Sequence, residues 1–298
     1  MNVEASQHRR GIGYALAAYA LWGVLPLYFV VLDPAGALEI LGWRVVFSLA
    51  LCLILIAATG HFFSTFRLLR NGRIAWLSAA AGFLIAINWG VFIYATQNDA
   101  IVDAALGYFI NPLVTTLLGV ILLGEKLRPL QWLALALGAI AVIVFVVGLG
   151  SLPVVSLALA FSFGTYGLVK KVMGQTGALE GLTMETLWIT PAAIGLLVWL
   201  GGGGQLTLWT EGPGHALLIG LIGLVTTVPL LLFAGATRRI PLATVGLMQY
   251  INPILQALVG IVIMSEPMPL ARWFGFFVVA FALVVFSWDG WRARETAI

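Results

Sequence analysis

The sequence contains few charged residues, few histidines and one cysteine, and each scarcity excludes a class of protein. Only 9% of its 298 residues are charged, whereas soluble domains carry about 25%. Cys52 is the single cysteine, so no internal disulfide can form. Three scattered histidines and one cysteine cannot build a transition-metal site. Because 61% of the residues are hydrophobic and the mean hydropathy is +1.06, we expect the chain to reside in a lipid bilayer.

Motifs for enzymatic chemistry and for nucleic-acid binding are also missing. The chain has no HExxH, no GxSxG, no glycine-rich phosphate loop with a lysine and no paired intramembrane aspartates. Its net charge of +3 comes from basic residues scattered between apolar runs, which does not fit a nucleic-acid surface. We therefore expect neither an enzyme nor a cofactor.

Long apolar runs dominate the chain, and a membrane-spanning helix needs roughly 20 apolar residues. Ten such runs lie at residues 11–31, 39–59, 74–96, 103–123, 129–148, 152–172, 179–200, 215–237, 242–264 and 271–291. Residues 1–10 are polar, and the run after them lacks a convincing cleavage site, so we expect a retained first span. The pattern predicts an all-α membrane protein with ten transmembrane helices.

The basic residues predict the orientation of these helices. If the N-terminus is cytoplasmic, every Lys and Arg except Arg44 and Arg272 falls in a cytoplasmic segment. A miscounted span would destroy this asymmetry. We therefore expect a multi-pass membrane protein with both termini in the cytoplasm.

A single ungapped shift relates the first half of the sequence to the second. Asn111-Pro112 recurs as Asn252-Pro253, an offset of 252 − 111 = 141 residues, and the same offset relates many other identical residues. This repeat predicts two domains, residues 1–148 and 149–298. Five spans per repeat would place the second copy upside down in the membrane. The loops agree, because the basic segment 67–73 corresponds to segment 208–214, which has no basic residue.

The two Asn-Pro pairs predict broken helices at matched positions. A proline cannot donate a backbone hydrogen bond, so the carbonyls of Tyr108 and Gln249 would lose their usual partners. Such carbonyls must face protein or a water-filled cavity. Tyr108 and Asn111 share one helical face, as do Gln249 and Asn252. These faces predict a central cavity; the alternative is that the amides only bond helices to one another.

Aromatic and polar residues deep in other spans extend this predicted cavity. Tyr19, Trp22 and Asn88 lie too far from the span ends to be simple interface anchors. Phe163 takes the position of Trp22 in the second half, and Tyr166 lies close by. We expect these side chains to line the cavity.

Three charged residues within or near the spans are candidates for gating or coupling: Arg44, Asp103 and Glu185. Arg44 can extend outward to the interface or pair with Asp103. Glu185 is the repeat equivalent of Arg44, so opposite charges could form an outer and an inner gate. Ion pairs that merely pack helices together are an equally good interpretation.

The motifs Leu-Gly-Tyr-Phe-Ile-Asn-Pro-Leu at 106–113, Leu-Gly-Glu-Lys at 123–126 and Gln-Tyr-Ile-Asn-Pro at 249–253 resemble the drug/metabolite transporter superfamily with its EamA domains. The resemblance is strongest to its RarD branch, often labelled chloramphenicol-sensitive proteins, and covers about residues 11–290. It implies a cavity lined by the first four spans of each half, with the fifth and tenth outside. Carried onto this chain, the implied substrate-binding residues are Trp22, Asn88, Tyr108, Asn111, Phe163, Tyr166, Gln249, Tyr250 and Asn252.

The expected partner is a small-molecule substrate, and the sequence leaves the oligomeric state open, a monomer included. We expect a secondary active exporter of neutral or aromatic amino acids that works by alternating access. Export follows from the resemblance. The alternatives are a multidrug or other metabolite exporter, and a passive facilitator.

Overall fold

The computed structural model describes residues 3–124, 127–149, 152–173, 176–237, 239–240 and 248–295. These residues form helices and connecting turns, as expected for long apolar segments that must satisfy their own backbone groups. The helices are α1 (Val3–Val31), α2 (Ala37–Ala58), α3 (Phe62–Leu68), α4 (Gly72–Gln97), α5 (Ile101–Leu123), α6 (Pro129–Leu149), α7 (Val154–Met173), α8 (Ala178–Gly202), α9 (Gly212–Thr237), α10 (Ile251–Leu258, continued by a π-helical turn Val259–Ile263) and α11 (Leu270–Glu295). The all-α fold class predicted from the sequence is confirmed.

Six of the described helices are long and apolar enough to cross a membrane, within α1, α2, α4, α5, α8 and α9. Four shorter apolar stretches lie in α6, α7, α10 and α11. Together these ten helices match the ten predicted runs; residues 242–247 of the ninth run lie outside the described residues. The sequence did not predict α3, a short helix of seven residues in the loop after α2.

Local signals fix several helix ends. The Asn71 side chain accepts hydrogen bonds from the backbone N–H groups of Arg73 and Ile74, which caps the start of α4. Gly124 follows α5 in the left-handed conformation, with φ of 68°, which glycine adopts without strain. The polar N-terminal residues extend α1 beyond the predicted run, and Gln7 on this extension accepts a hydrogen bond from Arg239 at 3.1 Å.

The packing between the two halves is repeated. Helices α1, α2, α4, α5 and α6 correspond to α7, α8, α9, α10 and α11 under the 141-residue offset. Helix α4 contacts α7 and α8, and its equivalent α9 contacts α1 and α2. In the same way, α5 contacts α7, and its equivalent α10 contacts α1. Helices α2 and α8, α5 and α10, and α6 and α11 contact their own equivalents. The core thus lies between the halves.

Two equivalent glycines allow the closest of these approaches. A Cβ atom on Gly82 of α4 would lie 2.5 Å from the carbonyl oxygen of Glu185 on α8. A Cβ atom on Gly223 of α9 would lie 2.5 Å from the carbonyl oxygen of Phe47 on α2. Since 223 − 82 = 141, both halves use a glycine at the same place to bring two helix backbones together.

Candidate functional site

A cavity of about 680 Å³, including the part open to solvent, lies between the two halves. Seven helices or their ends contribute to its wall: α1, α2, α4, α5, α7, α9 and the start of α10. Its lining residues are Tyr19, Trp22, Leu25, Arg44, Ile85, Asn88, Trp89, Phe92, Tyr108, Phe163, Leu230, Phe233, Gln249, Asn252 and Gln256. No described side chain of α6 or α11 lines the cavity, and these two helices pack on one another.

Aromatic rings form two groups in the cavity wall. Tyr19, Trp22 and Phe233 contact one another with ring centroids 5.7–6.1 Å apart. In the second group the Tyr108 ring lies 5.8 Å from Phe92 and 6.1 Å from Phe163, in edge-to-face arrangements. Each group combines helices from both halves, so the wall offers flat apolar surfaces that neither half builds alone.

Arg44 lies in the wall of this cavity with only 3% of its surface exposed. Its guanidinium carbon is 4.3 Å from the ring centroid of Trp89 and 5.4 Å from that of Phe29. The Nε and Nη1 atoms are buried and have no hydrogen-bond partner among the described residues. The sequence-based expectation was wrong here, because Arg44 neither extends to the interface nor pairs with Asp103.

The two carboxylates proposed for gating have other partners. Asp103 pairs with Arg272 on α11 at 3.0 Å. Glu185 is fully buried, pairs with Lys170 at 2.5 Å and accepts a hydrogen bond from Tyr166 at 3.0 Å. Glu185 belongs to α8, which contributes no lining residue to the cavity. The predicted gates are therefore not equivalent: Glu185 is neutralised by a helix-packing ion pair, whereas Arg44 faces the cavity.

Several predicted amides bond helices to one another. Asn111 is buried and donates to the Ala160 carbonyl at 3.0 Å, joining α5 to α7. Asn88 lines the cavity, but its amide nitrogen donates to the Leu159 carbonyl and the Ser162 hydroxyl, at 3.2 and 3.1 Å. Its amide oxygen accepts from the Tyr108 hydroxyl at 3.1 Å. These contacts are those of the alternative interpretation, in which amides hold helices together.

Other polar atoms of the wall have no partner within the described residues. They are the Tyr19 hydroxyl and the Gln256 side-chain oxygen. The Gln256 nitrogen donates to the Asn252 side-chain oxygen at 2.9 Å and to the Trp22 carbonyl at 3.3 Å. The cavity therefore offers a phenol, a guanidinium and an amide oxygen for hydrogen bonding.

The two Asn-Pro pairs differ in the structure. Helix α5 continues through Pro112, whereas Asn252 and Pro253 lie in the first turn of α10. The Gln249 carbonyl accepts a hydrogen bond from the Asn252 backbone N–H at 3.1 Å. The prediction of a free Gln249 carbonyl was wrong, because this turn supplies the donor that proline lacks.

Of the nine predicted substrate-binding residues, six line the cavity: Trp22, Asn88, Tyr108, Phe163, Gln249 and Asn252. The other three pack elsewhere. Asn111 bonds to α7, Tyr166 bonds to Glu185, and Tyr250 stacks on Phe109 with centroids 6.5 Å apart.

Sequence reasoning placed Arg44 among the gates, and it did not identify the apolar part of the wall. Tyr19 was predicted to line the cavity, and the sequence also carries a signal for Gln256, because each residue lies on a polar or aromatic helical face. Leu25, Ile85, Leu230 and similar apolar side chains carried no signal, since a lipid-facing residue looks the same in sequence.

An all-helical membrane protein with a cavity between two repeated halves has the architecture of a small-molecule transporter. The model of the EamA-like transporter family matches the chain twice, over residues 9–147 and 152–288. The chain therefore belongs to this family.

Curated relatives extend over nearly the whole chain. Protein RarD of Streptomyces exfoliatus is 45% identical over 99% of this chain and 93% of its own length. An uncharacterized transporter of Vibrio cholerae is 40% identical, covering 100% of this chain and 98% of its own. Protein RarD of Escherichia coli is 37% identical, covering 99% and 100%. These similarities confirm the RarD branch suggested by the motifs.

One solved structure, titled only as the crystal structure of a protein, superposes with a TM-score of 0.61 and 16% identity. The match covers 94% of this chain and 96% of the other. At this identity the similarity concerns the fold alone.

Proposed function

We propose that the protein is a secondary active transporter that exports neutral and aromatic amino acids across the cytoplasmic membrane. The observation that carries this proposal is the composition of the cavity wall. Aromatic rings cover much of it, one cation faces it, and a few polar atoms are available.

An amino acid suits this wall in two respects, and its third group still needs a partner. Its side chain can lie between the two groups of aromatic rings. Trp22 and Phe233, with centroids 5.8 Å apart, belong to the first group. Its ammonium group can approach aromatic faces and the Gln256 oxygen, and cation–π attraction contributes about 0.5–2 kcal/mol. Its carboxylate needs a donor, and the amides of Asn88 and Asn111 are already engaged.

Alternating access is supported by the repeated packing of the halves. The contacts of α4 with α7 and α8 have counterparts in the contacts of α9 with α1 and α2. This correspondence is what a second arrangement, in which the two halves exchange roles, would require. An inverted relation of the repeats would convert an opening on one side into an opening on the other. The asymmetry of the basic residues supports cytoplasmic termini.

A multidrug exporter of cationic compounds fits this wall less well. Among the described residues, no lining residue is a carboxylate, and the one charged lining residue, Arg44, would repel a cation. A passive facilitator would use the same wall, so only a flux measurement separates it from a coupled exporter.

Proteoliposomes containing the purified protein provide the test. We expect saturable uptake of labelled phenylalanine and leucine, inhibited by other neutral amino acids and accelerated by an imposed proton gradient. Flux of a cationic drug without flux of any neutral or aromatic amino acid would reject the proposal in favour of multidrug export. Amino-acid flux that only ever follows the substrate gradient would indicate a passive facilitator.

A further inference from the structure

We infer that Arg44 is the anchor for a carboxylate on the transported molecule, so that the site selects organic acids and zwitterions with an apolar body. This inference rests on the proposed function and specifies the chemistry of the same cavity. It starts from an imbalance, since Arg44 is a buried cation in the cavity wall with two buried donor nitrogens that have no hydrogen-bond partner in the part of the chain that the structure describes. Buried charges are normally paired or turned toward water.

Four buried or half-buried carboxylates of the described residues have other partners and are not paired with Arg44. Glu39 accepts from the backbone N–H groups of Thr207 and Leu208. Glu266 accepts from the first backbone N–H groups of α5, at 2.6 and 2.9 Å. Asp103 and Glu185 have their own cations in Arg272 and Lys170. A counter-ion for Arg44 must therefore come from outside these residues.

The repeat provides a direct comparison with the equivalent site in the second half. Arg44 corresponds to Glu185, and Lys170, which neutralises Glu185, corresponds to Phe29. Tyr166, which donates to Glu185, corresponds to Leu25, a residue of the cavity wall. Where one half supplies a counter-charge and a hydrogen bond, the other supplies apolar side chains beside the cation.

The surroundings of Arg44 hold it in place without neutralising it. The guanidinium carbon lies 4.3 Å from the ring centroid of Trp89 and 5.4 Å from that of Phe29, so two aromatic residues restrict its position. A guanidinium fixed in this way can present paired N–H groups to a carboxylate, the geometry in which arginine recognises acids.

Three probes test the inference by calorimetric titration of the purified protein in detergent. Phenylalanine carries both charged groups, phenylalaninamide lacks the carboxylate, and 3-phenylpropionate lacks the ammonium. We expect the wild-type protein to bind both carboxylates and to bind the amide weakly. Arg44→Gln should weaken binding of both carboxylates by about 10- to 100-fold and leave the amide unchanged. Arg44→Lys keeps the positive charge, so it should retain the preference for acids at reduced affinity.

Arg272→Gln is the matched control, because Arg272 already has a carboxylate partner and does not line the cavity. This variant should keep the wild-type ratio of acid to amide affinity. Equal binding of acid and amide by the wild-type protein would overturn the inference, and so would a preference for acids that survives in Arg44→Gln. Repeating the titrations at low and at high chloride concentration identifies an inorganic anion. A chloride-dependent signal in place of a carboxylate-dependent one would also overturn the inference.

Flux measurements separate this inference from the proposed function. Acid binding that depends on Arg44, without amino-acid transport in proteoliposomes, would refute export and leave the anchor in place. Amino-acid transport with an unchanged acid preference in Arg44→Gln would refute the anchor and leave export in place.

Discussion

The closest helix contacts predict a matched pair of destabilising substitutions, Gly82→Ala and Gly223→Ala. In each case the new Cβ atom would lie 2.5 Å from a backbone carbonyl oxygen of the neighbouring helix. Ordinary contact begins near 3.4 Å, so the helices would have to separate by about 3.4 − 2.5 = 0.9 Å. A backbone carbonyl inside a helix cannot rotate away as a side chain can.

The expected cost follows from two opposing effects. Overpacking in a close-packed interior costs about 1–3 kcal/mol. Replacing glycine by alanine within a helix returns about 0.5–1 kcal/mol through backbone entropy. We therefore expect each variant to lose about 1–2 kcal/mol of stability, and the two losses to be similar because the sites are repeat equivalents.

Thermal unfolding in detergent, followed with a thiol-reactive fluorogenic dye, measures this loss. Cys52 is the only cysteine and is completely buried, so the dye reacts when the helices separate. We expect the melting temperature to fall by about 2–8 °C in either variant. Gly220→Ala is the control on the same helix as Gly223, because a Cβ atom at Gly220 meets nothing within 4 Å. If Gly223→Ala melts no lower than Gly220→Ala, the close approach of these helices is wrong.

Three further predictions concern the amide, the ion pair and the topology. Asn111→Ala should cost roughly 1 kcal/mol of stability, because it removes a buried hydrogen bond to α7. The loss should appear as a lower melting temperature. An unchanged melting temperature with a raised KM for transport would indicate substrate contact instead. Lys170→Met should destabilise the folded protein by about 3–5 kcal/mol, because Glu185 is left as an unpaired buried charge. Adding Glu185→Gln to this variant should restore part of the lost stability. No recovery in the double variant would contradict the ion pair. In a cysteine-free background, cysteines introduced at the exposed positions Arg70 and Gln205 should be labelled from opposite sides of the membrane. Labelling of both from one side would refute the inverted repeat.

The fold could be predicted from the sequence because its signals are local. A run of roughly 20 apolar residues in a bilayer can satisfy its backbone only as a helix. The same local rules did not predict α3, whose seven residues are too few for a helical period to be recognised in a loop.

The candidate site was predicted in part, and the differences have a common cause. Trp22, Phe163 and Gln249 were placed correctly in the wall, since deep aromatic or polar residues on a helix must face protein or a cavity. Asn111 and Tyr250 satisfy the same condition by packing against neighbouring helices. Sequence shows that a polar side chain avoids lipid, but it does not show which of several protein surfaces it meets.

The sequence by itself determined the membrane environment, the helical class and the repeat, because hydropathy and a constant offset are properties of the chain alone. Only the tertiary structure decided the partners of the charged residues. Arg44 and Glu185 are equivalent in sequence, yet Glu185 meets Lys170 and Arg44 meets two aromatic rings at the cavity. Charge pairing depends on the distances between side chains on different helices, and those distances are set by packing such as that at Gly82 and Gly223.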